Sequence, residues 1–141
     1  MILVVDASVA AKWFVYFRSE EADSDIALAI LERVTLEKIY LVQPPHFIAE
    51  VAAFLARSKP EGAAYDLLQL MRCPKRVLDS AQVYATAIDL ATTLQHHLFD
   101  TLYHAVALQT PGCTLVTADK VYYRKAKALG QIQLLEGFEF V

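Results

Sequence analysis

The stretch VVDASV, residues 4–9, passes from apolar β-branched residues directly into an aspartate. The segment ILVVD (2–6) has the short, continuous apolar character of a buried strand. A helix is predicted to follow at once over SVAAKWFVY, residues 8–16. A buried strand that leads straight into a helix begins a β–α unit, from which sheets of parallel strands are built.

The same alternation of short apolar strands and helices continues along the rest of the chain. Helices between all the strands predict a parallel sheet that is covered on both faces. We therefore predict one domain over residues 1–141 of class α/β, with three α/β/α layers and a parallel, Rossmann-like central sheet of four to five strands. The further strands are predicted over 39–43, 76–79, 113–117 and 132–135, and the further helices over 26–38, 46–59, 61–72, 80–95, 99–109 and 120–129.

The composition excludes several classes of protein. A chain of 141 residues with 56% hydrophobic and 21% charged residues can build a substantial core, which argues against disorder. A formal charge of −3 argues against nucleic-acid binding through bulk positive charge. No apolar run approaches the roughly 20 residues that span a bilayer, and the N-terminus lacks the basic region of a signal peptide. The two cysteines, Cys73 and Cys113, form no CxxC motif, which predicts reduced thiols and a cytoplasmic protein.

Four of the sixteen acidic residues stand in apolar surroundings. The other twelve, among them Glu20 and Asp66, are predicted at the surface, in a polar loop, on polar helix faces or beside breaks. A buried carboxylate is unfavourable unless it is paired, hydrogen-bonded, protonated or bound to a metal. The four are Asp6 in VVDASV, Glu50 in FIAEVAAF, Asp100 in LFDTLY and Asp119 in VTADKV.

Each of these acids also has a simple structural explanation. Asp6 and Asp119 stand between a strand and a helix, where an aspartate can cap the helix N-terminus. Asp100 can cap a helix that starts near Thr101. Glu50 lies inside a helix, and its alternative is an ion pair with Arg57, which is seven residues further along. Taken singly, the three aspartates are better explained as caps.

The predicted topology favours a shared site instead. Asp6 and Asp119 end two strands of one parallel sheet, and Glu50 lies near the start of the helix after the second strand. Asp100 begins the helix that leads back to the strand of Asp119. In such a sheet these strand ends and first helical turns face one crevice. Four carboxylates in one crevice repel each other unless a divalent cation lies among them, and hard oxygen ligands suit Mg²⁺ or Mn²⁺.

Other catalytic groups are scarce in the sequence. Ser8 has no histidine near it in sequence, and no glycine-rich phosphate loop is present. The histidines show no metal-ligand spacing, and the adjacent pair His96–His97 is predicted at the surface. Hydrolysis of a phosphodiester by a metal-activated water is then the simplest chemistry that the carboxylates can support.

Four segments carry the acids: DASV (6–9), AEVAAFL (49–55), DTLYHAVAL (100–108) and LVTADK (115–120). In this order and at these spacings they resemble the PIN domain family, and most closely the small toxins of VapBC-type toxin–antitoxin modules. The likeness extends over nearly the whole chain. It implies an endoribonuclease dependent on Mg²⁺ or Mn²⁺, whose catalytic residues and metal ligands are Asp6, Glu50, Asp100 and Asp119.

The resemblance also implies supporting residues and partners. Ser8 and Thr117 match small hydroxyl positions that hydrogen-bond the first and last acids; local helix-start contacts are the alternative. A cognate antitoxin protein is expected to cover the crevice, and a homodimer is expected, with the AAYDLLQLM segment (63–71) as a candidate interface. Cations that could hold RNA phosphates, or simply form a solvated basic surface, are Lys12, Lys120, Arg124 and Lys125.

Two other functions compete with this interpretation. One is a PIN-like nucleic-acid-binding or scaffolding protein with little nuclease activity. The other is an α/β phosphotransfer protein. A haloacid-dehalogenase-type phosphatase requires a second aspartate two residues after Asp6, where this chain has Ser8. A response-regulator receiver requires a lysine after the last strand, and IQLLEG (132–137) supplies none.

Overall fold

A parallel sheet forms the centre of the molecule. The structure is a computed structural model that describes residues 1–18 and 21–141, so the prediction for Glu20 lies outside the described residues. The described chain contains five strands in the order β3-β2-β1-β4-β5, and every neighbouring pair is parallel. The predicted parallel α/β sheet is thereby confirmed. The strands are β1 Ile2–Val5, β2 Tyr40–Gln43, β3 Arg76–Val77, β4 Cys113–Thr117 and β5 Ile132–Leu134.

Helices cover both faces of this sheet. The predicted helix over 8–16 is divided into two short helices at Ala11, and the one over 120–129 ends in a 3₁₀ turn at Lys127–Leu129. No helix in the described chain has both the length and the apolar character needed to cross a membrane. The helices are α1 Ala7–Ala10, α2 Lys12–Val15, α3 Ser24–Thr35, α4 Phe47–Ser58, α5 Ala63–Arg72, α6 Ala81–Leu94, α7 Leu98–Leu108 and α8 Lys120–Ala126.

The core is densest around β1 and α7. Leu3, Val4 and Val5 of β1 are buried, because this strand lies between β2 and β4 and is covered by helices. Every residue of α7 from Thr101 to Ala107 is buried, and the helix lies against β1, β4 and α6. A helix that is enclosed on all sides holds its first turn in a fixed position, and Asp100 belongs to that turn.

The strand order reverses at β1, and this reversal opens a crevice. The chain passes from β1 to β2 on one side and returns later to β4 on the other. Val5 is in register with Val116, and the Asp6 N–H donates to the Val116 carbonyl at 3.2 Å. Asp6 and the residues after β4 therefore emerge at the same edge, where ligands bind in open parallel sheets.

One predicted surface acid is buried. Asp66 has 7% of its surface exposed, and its Oδ2 lies 2.9 Å from Nζ of Lys59. The surface prediction for Asp66 is wrong because α5 packs against α4, and the chain segment after α4 brings Lys59 over the aspartate.

Candidate metal centre and active site

Asp6 is anchored at the carboxyl end of β1. It is the N-cap of α1, and its Oδ1 accepts a hydrogen bond from the Ser8 N–H at 2.9 Å. The Ser8 hydroxyl also donates to Oδ1, and the Thr117 hydroxyl donates to Oδ2. The capping interpretation is correct for this residue, and the same geometry holds its carboxylate rigidly in the crevice.

Burial makes the Asp6 carboxylate unusual. It raises the pKa of Asp6 to about 6, although the hydrogen bonds from Ser8 and Thr117 act in the opposite direction. A carboxylate that is disfavoured by desolvation is stabilised by a nearby cation. The ionised form of Asp6 would therefore be stabilised by a positive charge placed in the crevice.

Two hydroxyl groups join the segment after β1 to the segment after β4. Thr117 donates to Asp6 and accepts from the Asp119 N–H at 3.0 Å. Ser8 donates to Asp6 and accepts from the Ala118 N–H at 3.0 Å. Each hydroxyl uses both its donor and its acceptor capacity, so the positions of Asp6 and Asp119 are coupled.

Asp119 caps the last helix, and Asp100 caps none. The side chain of Asp119 accepts from the Tyr122 N–H at 3.0 Å, as an N-cap does. Helix α7 begins at Leu98 after His97, which places Asp100 inside its first turn. The capping interpretation of Asp100 is therefore wrong, and its carboxylate is free to face the crevice, where the helix N-terminus favours negative charge.

His96 meets Asp100 at the edge of the crevice. Its Nε2 lies 2.8 Å from Asp100 Oδ2, and only 9% of its side chain is exposed. The ring packs against Tyr122, with centroids 4.9 Å apart. The predicted surface position is thus wrong for His96, because the turn after α6 folds the ring inward, whereas His97 is exposed as expected.

Three side chains in the described chain meet the geometry of a metal site. One ligand atom each from His96, Asp100 and Asp119 lie within 4.8 Å of one another. Burial raises the pKa of Tyr122, and so do the negative charges of Asp100, Asp119 and Asp6, which lie around its hydroxyl. The two carboxylates of this cluster supply the hard oxygen donors that fit Mg²⁺ or Mn²⁺.

A buried histidine is hydrogen-bonded to the hydroxyl of Tyr122. His104 is completely buried, and its Nε2 lies 2.8 Å from the Gly130 carbonyl. A carbonyl only accepts, so the proton lies on Nε2, and Nδ1 accepts from the Tyr122 hydroxyl at 2.9 Å. Burial lowers the pKa of His104 and favours this neutral form. The pair fixes the aromatic ring against which His96 packs.

Glu50 lies on the other side of Asp6. Its Oε1 accepts from the Tyr103 hydroxyl at 2.7 Å and lies 3.1 Å from Nε2 of His46. Burial opposes its ionisation, but the hydrogen bonds from His46 and Tyr103 lower the pKa of Glu50 overall. The alternative pair with Arg57 is wrong, since the structure pairs Glu50 with His46 and Tyr103.

Tyr103 hydrogen-bonds Glu50 and lies near the charge of Asp6. Burial raises the pKa of the Tyr103 hydroxyl, and the charges of Glu50 and Asp6 raise it further. The four acids predicted from the sequence fall into two groups. Asp100 and Asp119 cluster with His96, and Thr117 links Asp6 to Asp119 by hydrogen bonds, whereas Glu50 is hydrogen-bonded by Tyr103.

The predicted RNA-binding cations are mostly occupied by partners. Lys12 pairs with Glu21 at 3.3 Å, and Lys120 pairs with Glu136 at 2.9 Å. Lys125 donates to the Gln95 carbonyl and approaches His96, both at 3.1 Å. Arg124 is exposed on α8.

Two pockets flank the carboxylates. One, of about 290 Å³, is lined by Ser8, Glu50 and Arg57 among others. The other, of about 410 Å³, is lined by His96, His97 and Lys125. One pocket therefore adjoins Glu50 and the other adjoins His96, and each carries one cation, Arg57 or Lys125.

The histidine contacts were missed in the sequence, although a signal was present. His46 precedes Glu50 by four residues and His96 precedes Asp100 by four, so both pairs have the i,i+4 spacing. Spacing between histidines alone is uninformative here. Spacing between a histidine and an acid would have found both contacts.

Comparison with known proteins points to one family. The model of the PIN domain matches residues 3–128. Comparison with curated proteins gives no match.

Solved structures with the same fold cover almost the whole chain. VapBC-1 from nontypeable Haemophilus influenzae has a TM-score of 0.67 and 20% identity, over 96% of this chain and 99% of that one. VapBC2 from Rickettsia felis, bound to a DNA fragment from its promoter, has a TM-score of 0.65 and 18% identity, over 95% and 97%. VapC20 from Mycobacterium tuberculosis, a toxin that cleaves the sarcin-ricin loop, has a TM-score of 0.64 and 18% identity, over 92% and 95%.

Proposed function

The chain belongs to the PIN domain family, and from this premise we propose that it is an endoribonuclease dependent on Mg²⁺ or Mn²⁺. It would hydrolyse RNA phosphodiester bonds with a metal-activated water. The observation that carries the proposal is the convergence of Asp100, Asp119 and His96 within 4.8 Å, beside the partly buried carboxylate of Asp6. Negative groups this close favour a divalent cation over a set of independent helix caps.

The four acids have two kinds of task in this proposal. Asp100, Asp119 and Asp6 would hold the ion. When bound, such an ion lowers the pKa of a water molecule and offsets the charge that develops on a phosphate. Glu50 has a lowered pKa and stays ionised near neutral pH, so its carboxylate would orient the attacking water as a hydrogen-bond acceptor. Ser8 and Thr117 keep Asp6 oriented through their hydrogen bonds.

The most direct test is cleavage of end-labelled RNA by the purified chain. We expect cleavage with Mn²⁺ or Mg²⁺, none with a chelator, and a loss of at least about a hundredfold in Asp100→Asn, because a ligand of the ion is removed. Asp89→Asn is the matched control, since Asp89 is exposed on α6. Cleavage that is unaffected by Asp100→Asn would overturn the proposal.

A cellular experiment separates the nuclease from the alternative of a PIN-like binding or scaffolding protein. Wild type and Asp6→Asn are expressed, and the RNA ends of both cultures are sequenced. New RNA ends and slower growth with the wild type alone support a toxin. Identical ends and equal growth would favour the scaffolding alternative.

Partners follow from the same proposal. The solved relatives include VapBC pairs, one of them bound to a DNA fragment from its promoter. We propose that this chain is likewise the toxin of a type II pair, with a cognate antitoxin protein, as a single-domain cytoplasmic protein. Tyr65, Leu68 and Met71 are exposed on α5, which supports the predicted segment 63–71 as a homodimer interface.

We propose that RNA contacts the four cations predicted from the sequence. Arg124 is exposed on the helix that Asp119 caps. Lys12, Lys120 and Lys125 already have protein partners, so RNA must compete with those contacts. Phosphate binding by them would therefore be weaker than by a free cation, and the salt dependence of RNA binding would be modest.

A further inference from the structure

We propose that His96 is a positioning residue of the metal centre, which orients the carboxylate of Asp100 and has its own tautomer set by Lys125. This inference rests on the proposed function, because it assigns a task at the same site. The sequence patterns, namely the spacing of the histidines and the positions of the four acids, assign no role to His96, and this inference supplies a role.

The ring of His96 is held in place before any ion binds. Gln95 ends α6 in a left-handed conformation with φ 50°, and the His96 N–H donates back to the Ala91 carbonyl at 3.1 Å. This turn directs the ring inward, where it packs against Tyr122, and 9% of the side chain is exposed. A ring that is packed and nearly buried presents its two nitrogens in fixed directions.

Lys125 determines which nitrogen carries the proton. A lysine ammonium group has only donors, and its Nζ lies 3.1 Å from Nδ1 of His96. Nδ1 is therefore the acceptor, and the proton of the ring lies on Nε2. A second hydrogen bond, from Nζ to the Gln95 carbonyl at 3.1 Å, holds the lysine in this position.

Nε2 in turn donates to Asp100. It lies 2.8 Å from Oδ2, which leaves Oδ1 of Asp100 as the oxygen available to an ion. A ligand carboxylate that accepts a hydrogen bond from a fixed donor loses less rotational freedom when the ion binds. The chain Lys125–His96–Asp100 thus connects α8, the turn before α7 and the first turn of α7 into one support.

The test is a calorimetric titration of the purified full chain with Mn²⁺ alone. We expect His96→Ala to weaken Mn²⁺ binding by about tenfold or more, the usual effect of losing a residue that orients a ligand. His96→Gln retains a side-chain N–H donor and is expected to recover most of the affinity. His97→Ala is the matched control, because His97 is the exposed neighbour and makes no side-chain capping bond. Circular dichroism verifies that each variant is folded.

Lys125 provides a second, independent measurement. Lys125→Met removes the donor to Nδ1 and is expected to weaken Mn²⁺ binding in the same direction by a smaller factor, since the ring can then adopt either tautomer. Lys127→Met changes the charge equally at an exposed position two residues away. Equal effects of the two lysine variants would mean that charge alone matters and would overturn the assigned role of Lys125.

Electron paramagnetic resonance of the Mn²⁺ complex separates orientation from direct ligation. A positioning role predicts no nitrogen hyperfine coupling of directly bonded strength in the wild type. Such a coupling, lost in His96→Ala, would overturn the inference in favour of a nitrogen ligand. If His96→Ala and the wild type bound Mn²⁺ with equal affinity, the positioning role of His96 would be overturned, although the metal site itself would stand.

The outcomes also separate this inference from the proposed function. Mn²⁺ binding that is weakened by His96→Ala, in a chain that cleaves no RNA, would support the inference and contradict the nuclease. A wild type that binds no Mn²⁺ would overturn both.

Discussion

The side-chain amide of Gln43 makes two hydrogen bonds to the backbone of Val5. If the strand pairing extended this far, the backbone of the neighbouring strand would make them. The Gln43 Oε1 accepts from the Val5 N–H at 3.0 Å, and its Nε2 donates to the Val5 carbonyl at 2.8 Å. The backbone pairing of β1 with β2 covers only Ile2 and Leu3. The two strands therefore separate before Asp6, and the amide bridges the gap at the entrance to the crevice.

Replacement of Gln43 by Met tests this bridge. Gln43 is completely buried, and Met keeps its length while removing both polar atoms. The Val5 N–H and carbonyl are then buried without partners, which lowers the free energy of unfolding by about 2–4 kcal/mol. Urea unfolding measures the change, with Gln82→Met on the exposed side of α6 as the control. A loss below about 0.5 kcal/mol would show that Val5 finds other partners.

Asp6→Asn should stabilise the metal-free protein near neutral pH. The raised pKa of Asp6 means that the folded chain holds this proton more tightly than the unfolded chain does. The free energy of unfolding of the wild type therefore falls as the pH rises from about 4 to about 6. Asn keeps the capping oxygen and carries no charge, so this fall should be absent.

Thermal melting at two pH values measures the difference. At pH 7.5 we expect Asp6→Asn to melt about 3–8 °C above the metal-free wild type, and at pH 4 the gap should nearly close. Addition of Mn²⁺ should stabilise the wild type more than the variant. A variant that melts below the wild type at both pH values would contradict the predicted cost of the buried charge.

Thr117→Val should separate the coupled positions of Asp6 and Asp119. Valine has nearly the same shape, but it removes the hydroxyl that donates to Asp6 and accepts from the Asp119 N–H. We expect Mn²⁺ affinity and RNA cleavage to fall by about tenfold or more. Thr117→Ser keeps the hydroxyl and is the matched control. If Val and Ser variants behaved alike, the hydroxyl would have no role in the site.

Tyr103→Phe should make the protein less stable, and the loss should depend on pH. The Tyr103 hydroxyl favours the ionised form of Glu50 and thereby lowers the pKa of Glu50. The stability from this hydrogen bond is present above the pKa of Glu50 in the unfolded chain and is lost as the pH falls through its lowered value in the folded chain.

We therefore expect Tyr103→Phe to lower the free energy of unfolding by about 1–2 kcal/mol at pH 7 and by less under acid conditions. Urea unfolding at pH 7 and pH 4 measures both values. Tyr84→Phe is the control, since Tyr84 is exposed on α6. A loss of stability that is equal at the two pH values would mean that Glu50 is not the partner that matters.

Leu68→Asp tests the proposed homodimer. Leu68 is exposed between Tyr65 and Met71 on α5, and a charge there would have to be buried in an interface. Light scattering after size exclusion should give the mass of a dimer for the wild type and of a monomer for the variant. Val121→Asp, at an exposed apolar position on α8, is the control. A monomeric wild type would contradict the prediction.

The sequence predicted the elements of this fold closely because local patterns encode them. The segment CTLVT (113–117) was predicted as a strand and is β4, residue for residue. The start of α7, predicted at residue 99, lies at Leu98. The alternative in which Asp100 caps a helix near Thr101 is wrong, because His97 is the N-cap, and no standard N-cap residue marks that start.

Periodicity and residue type alone indicated a parallel α/β sheet and directed attention to four acids at strand ends and first helical turns. Both follow from interactions over a few residues. The partners of those acids could not be obtained in this way, because Thr117 reaches Asp6 across 111 positions of the chain and Tyr103 reaches Glu50 across 53. The folded chain also turned His96 inward and brought Lys125 against it. Such contacts depend on how helices and strands pack, and packing is a property of the whole tertiary structure.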